Sequence, residues 1–132
     1  MYVNGYILGV PDEMKDAYIA VAKTFAEVAK DFGALEIFEN WEVDVPDGEQ
    51  TDYRKAVNAR PGERIVFSWV VWPDRKSGAA AHKGMWSDPR MKSVGKMPFD
   101  GKRMIMGGFE PLLSYHKHRD SGESNGESYR MV

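Results

Sequence analysis

The sequence predicts an α+β domain of the ferredoxin-like type, a βαββαβ plait with one four-stranded antiparallel sheet. Two observations carry that prediction. Segments with strand-like and helix-like apolar patterns follow one another as strand, helix, strand, strand, helix, strand. Each helical segment also follows its strand through the same dipeptide, Pro11-Asp12 and Pro73-Asp74, a sign of internal duplication. Right-handed crossovers then place both helices on one face of the sheet.

The first strand is read over 2–10, where β-branched and aromatic residues fall on both parities, so both faces need cover. Asp12 is placed to cap the helix that follows. Its apolar stripe is Met14, Ala17, Val21, Phe25, Val28 and Phe32, and Gly33 ends it. The second strand, 34–45, mixes Leu35, Ile37 and Trp41 with Glu36, Glu39 and Glu42, which suits an edge position. Pro46-Asp47-Gly48 turns the chain, and a short ordered piece is expected near 53–59. The third strand, 64–72, is the most apolar and belongs in the centre of the sheet. The second helix, 75–87, is weakened by Gly78 and Gly84 and ends before Asp88-Pro89. The fourth strand covers 103–113. Gly107-Gly108 within it marks a bulge or a close approach to the backbone. The domain is therefore read as 1–115, with 116–132 as a polar tail.

Composition removes several function classes. The chain has 132 residues, the size of one domain. It has no cysteine, which excludes disulfides, thiolate nucleophiles and thiolate metal sites. The net charge is −2 with no basic stripe, so no nucleic-acid partner is expected. No apolar run approaches the ~20 residues of a membrane span, and the start lacks a signal-peptide pattern, so the expected location is the cytoplasm. The three histidines, His82, His116 and His118, lack a supporting ligand cluster, so neither a metal nor any other cofactor is expected.

A plait with both helices on one face leaves the other sheet face open. All four strands carry large apolar groups on both parities, and the natural cover is the same face of a second copy. The expected partner is thus the chain itself. The competing cover is the long loop or the tail. Which parity faces the helices is left open.

Several blocks resemble a known family: Met1-Tyr2-Val3-Asn4-Gly5-Tyr6, Gly33-Ala34-Leu35-Glu36, Asp44-Val45-Pro46-Asp47-Gly48, Val66-Phe67-Ser68-Trp69, 97–105 and Gly107-Gly108-Phe109-Glu110. Together, over about residues 1–113, they look like the YbaA-like bacterial family, a domain of unknown function. The resemblance implies a dimeric α/β barrel, in which two plaits close sheet to sheet. It implies no catalytic residues. By fold analogy alone, cofactor-free oxygenases and isomerases come into view.

The candidate pocket residues are the polar groups within apolar strands: Asn4, Tyr6, Glu36, Ser68 and Glu110. A carboxylate in an apolar pocket acquires a raised pKa and serves as acid or base. The plainer reading makes Glu36 and Glu110 exposed strand-end residues, Ser68 a small core residue, and Asn4 and Tyr6 interface contacts. Lys102 and Arg103, in the loop 99–103, are candidate contacts for an anion. Alternatively, that loop is a turn that aims the last strand. Four tryptophans and eight methionines suit either a pocket wall or a packed interior. The function read from the sequence is a small-molecule-binding or transforming homodimer, with a non-catalytic dimer as the alternative.

Overall fold

The computed structural model describes residues 1–117 and the backbone of Glu127–Met131. β1 (Tyr2–Pro11) and β3 (Glu63–Trp72) run antiparallel along their whole lengths, from the Tyr2–Trp72 pair to the Pro11–Glu63 pair. β2 (Glu36–Trp41) pairs with the outer side of β3, and β4 (Ile105–Phe109) with the outer side of β1. The sheet order is β2-β3-β1-β4. The charged second strand is an edge, and the apolar third strand is central, as their compositions require.

α1 (Lys15–Asp31) starts one turn later than its apolar pattern suggests, because Asp12–Met14 form a 3-10 turn. That turn breaks the helical phase, so Met14 and Ala17 of the expected stripe are exposed, as is Phe32 at the far end. The inward positions are Tyr18, Val21, Ala22, Phe25, Val28 and Ala29. Asp12 does not cap the helix with its side chain. It accepts from Arg64 Nε at 3.1 Å instead. The second Pro-Asp pair does act as a cap: Ser77 N donates to Asp74 at 2.7 Å and opens α3 (Arg75–Met85). Two single-turn helices lie in the connections. α2 (Tyr53–Ala56) is capped by Asp52, and α4 (Pro89–Lys92) by Asp88 with Pro89 in the first turn.

The glycines of α3 have a packing reason. A Cβ on Gly78 would meet Trp72 Cδ1 at 3.0 Å, so glycine lets the helix lie close against the sheet. On β4 the ladder is unbroken from Val3–Phe109 to Ile7–Ile105, so Gly107-Gly108 is not a bulge. The close approach is there instead: a side-chain carbon on Gly108 would overlap the Tyr2 hydroxyl.

β4 is shorter than the sequence suggests. It stops at Phe109, and Pro111 lacks the N–H that a continuing ladder would use. β5 (Leu113–Lys117) and β6 (Glu127–Met131) then pair as a separate two-stranded sheet. Part of the stretch read as a polar tail, 116–132, is thus paired; 118–126 and 132 lie outside the described residues.

The helix-facing parity is now fixed: even residues on β1, β3 and β4, odd residues on β2. Two apolar clusters form there. One joins Val28, Ala29, Val70, Trp72, Ala81, Met85 and Met91; the other joins Leu8, Val10, Tyr18 and Val66. Tyr6 packs against both. The opposite sheet face carries Phe38, Phe67, Ile105 and Phe109, all at least 40% exposed. Among the described residues, no helix is long and apolar enough to cross a membrane.

Candidate functional site

The register places one residue from each strand in a single row on the helix-facing side. Glu39 on β2 lies opposite Ser68 on β3, Ser68 opposite Tyr6 on β1, and Tyr6 opposite Met106 on β4. Above this row, between the two apolar clusters, is a cavity of about 180 Å³. α1 contributes Tyr18, Ala22 and Phe25 to its walls, and α3 contributes His82 and Met85, with Trp86 just past its end. Met97, Phe99 and Met104, from the loop ahead of β4, close the side. Among the described residues the wall is apolar except for Tyr6, Tyr18, Glu39, Ser68 and His82, and no lysine or arginine lines it.

Glu39 is the electrostatic centre of this space. Tyr18 Oη donates to Glu39 Oε2 at 2.7 Å. The Ser68 hydroxyl, directly across the ladder, also hydrogen-bonds the carboxylate. Burial pushes the Glu39 pKa above the ordinary carboxylate range, and the two hydroxyls pull part of the way back. The Tyr18 hydroxyl is held well above a free phenol, first by burial and then by the Glu39 charge. Tyr6 is raised by the same two causes in the same order. Phe99 packs edge-on against Tyr18, with ring centroids 6.0 Å apart, and fixes the tyrosine ring.

Of the residues singled out in the sequence, Tyr6 and Ser68 line the cavity. Asn4 is on the same face, but its Oδ1 accepts from Trp72 Nε1 at 2.9 Å, outside the cavity wall. Glu36 is on the other face, because it has the opposite parity to Glu39. There its Oε1 accepts from Trp69 Nε1 at 3.0 Å. Glu110 is an exposed residue beyond the end of β4. Arg103 is already engaged: its fork meets both Glu63 oxygens at 2.7 Å, and its Nε donates to Asp100 at 3.0 Å. Those contacts push the Glu63 pKa down and the Arg103 pKa up. Lys102 donates its backbone N–H to Asp100 at 3.0 Å, so the loop 99–103 has the internal bonding of a turn. Among the described residues, no group of three His, Asp or Glu side chains could hold a metal ion. His118 lies outside the described residues.

Glu39 and Tyr18 were missed as site residues. A signal for Glu39 was present: it stands between Ile37 and Trp41 on the apolar parity of β2, an acid where a core residue belongs. Tyr18 could be recognised only once the helix phase was known.

Comparison with known proteins agrees with this fold. The family model described as a protein of unknown function, DUF1428, matches residues 1–101. The chain is 52% identical over 113 residues to the Escherichia coli (strain K12) protein described as uncharacterized protein YbaA, covering 85% of this chain and 97% of that one. A Shigella flexneri protein of the same description matches to the same extent. Among solved structures, protein Atu4242 from Agrobacterium tumefaciens aligns with a TM-score of 0.51 at 16% identity, over 84% of this chain and 93% of that chain. A NIPSNAP domain protein from Burkholderia xenovorans aligns with a TM-score of 0.50 at 10% identity, over 84% and 94%. At such identities the likeness is one of fold.

Proposed function

The chain belongs to the DUF1428 family, and from that premise we propose that it is a homodimer whose helix–sheet cavity binds a small, mostly apolar molecule and moves a proton on it. One observation carries the reading: the Glu39 carboxyl sits in an apolar cavity with its proton affinity raised and its orientation held by Tyr18 at 2.7 Å. A carboxyl whose pKa is raised by burial is suited to take up and return a proton without a cofactor. Tyr18 orients it, and Tyr6, in the same row, offers a second hydroxyl to the ligand. A volume of about 180 Å³ suits one ring with a substituent, since a cavity of ~150 Å³ takes benzene.

The dimer rests on the other sheet face. Phe38 stacks on Trp69 with centroids 4.9 Å apart, and Phe67 meets Trp69 edge-on at 5.5 Å. With Ile105 and Phe109 they form an exposed apolar surface of the kind that a second copy covers. A binding role without turnover is the second reading. It is favoured by the two hydroxyl bonds that already satisfy Glu39.

Native mass spectrometry of the protein purified gently from its own host tests both parts. The expected result is a dimer carrying one small additional mass per subunit. A bare dimer overturns the retained ligand, and a monomer overturns the sheet-to-sheet assembly.

A further inference from the structure

The shielded carboxylates of this chain share a pattern that Glu39 breaks. Glu63 is paired with Arg103, Glu42 with Arg54, Asp88 with Arg90 and Asp52 with Lys55. Among the described residues, Glu39 makes no ion pair and no lysine or arginine lines its cavity. Both its hydrogen-bond partners are hydroxyls that donate to it, an arrangement that favours the ionised form. A carboxylate shielded from water normally has a counter-charge. The surrounding wall is also rich in π faces: Tyr6, Phe25, Trp72, Trp86 and Phe99. Aromatic faces attract cations, most strongly where water is excluded.

We infer that the ligand of this cavity is a small organic cation, an amine with an apolar body, whose ammonium group is the missing counter-ion of Glu39. This rests on the pocket reading above and gives its ligand a chemical class. An anion would meet the Glu39 charge, with no lysine or arginine among the described lining residues to offset it.

Calorimetric titration of the full chain with three probes of similar body tests this: benzylamine, benzyl alcohol and benzoate. Benzylamine should bind at least about tenfold more tightly than benzyl alcohol, and benzoate should not bind. Glu39→Gln should abolish the preference while keeping benzyl alcohol binding. Among the described residues, the titratable groups that line the cavity with Glu39 are Tyr18, Tyr6 and His82, so a pH series on the unaltered chain provides a second test. The preference for benzylamine should fade as the pH falls through the raised Glu39 pKa. Equal binding of amine and alcohol, or a pH-independent preference, overturns the cation and leaves the pocket standing. Failure of all three probes to bind overturns the pocket reading, and the cation with it.

Discussion

The Tyr18 hydroxyl stands 2.7 Å from Glu39 Oε2 and joins α1 to the edge strand β2 across 21 residues of sequence. It is both a fold contact and the feature that orients the carboxyl in the cavity.

Tyr18→Phe keeps the ring and its packing against Phe99 and removes only the donor. The expected cost is about 1–2 kcal/mol, because a partly buried carboxylate loses one of its hydrogen bonds. Chemical denaturation measures it. An unchanged midpoint would show that water replaces the tyrosine without loss.

The pH dependence of stability has a definite sign at Glu39. Its folded pKa is raised from 4.5, so the folded form keeps the proton to higher pH than the unfolded chain does. Its contribution to stability is therefore greatest below the unfolded value and declines as the pH rises towards the folded one. Glu39→Gln removes that slope. The stability of Glu39→Gln minus that of the natural chain should grow across this window; a constant difference would contradict the raised pKa.

Arg103→Ala should be the costliest surface-loop substitution. It leaves Glu63, 7% exposed, without its fork. The loss expected is about 2–3 kcal/mol, below that of a deeply buried pair because the pair lies near the surface. Arg103→Lys should recover only part of it, since an ammonium cannot meet both oxygens. The folded Glu63 pKa is lowered, so the stability from this pair should be lost as the pH falls through the carboxylate range. Thermal melts of the three proteins at neutral and acidic pH decide the matter.

The open sheet face gives a separate test. Phe38→Asp should turn the proposed dimer into a monomer that retains its circular dichroism, because Phe38 is 46% exposed and outside both apolar clusters. Sedimentation at micromolar concentration reads the mass. A variant that remains dimeric would place the interface elsewhere.

Much of the fold was legible in the sequence, for local reasons. The unbroken apolar run of β3 marks a central strand, and the acids of β2 mark an edge. The Asp74 cap and the close approach at Gly108 were both signalled by residue type. The failures were also local in origin. Asp12 looks like a cap, but Arg64, 52 residues away, takes its carboxylate. Met14 fits a helical stripe, but the 3-10 turn puts it outside the phase.

The candidate site was half legible. Tyr6 and Ser68 were found because a polar residue in an apolar strand is conspicuous. Glu36 and Glu39 are chemically alike and three residues apart on one strand; Ile37 and Trp41 flank Glu39, but Phe38 makes the Glu36 parity partly apolar too, so the segment alone does not decide which faces the helices. That depends on the register of β2 against β3, which sets Glu39 opposite Ser68 and turns Glu36 to the other side. Sequence by itself determined the order of the elements, the absence of thiol chemistry and the two-sided apolarity of the sheet. Tertiary structure alone decided which carboxylate is shielded from water, because strand side chains alternate with period two and one residue of register exchanges the faces.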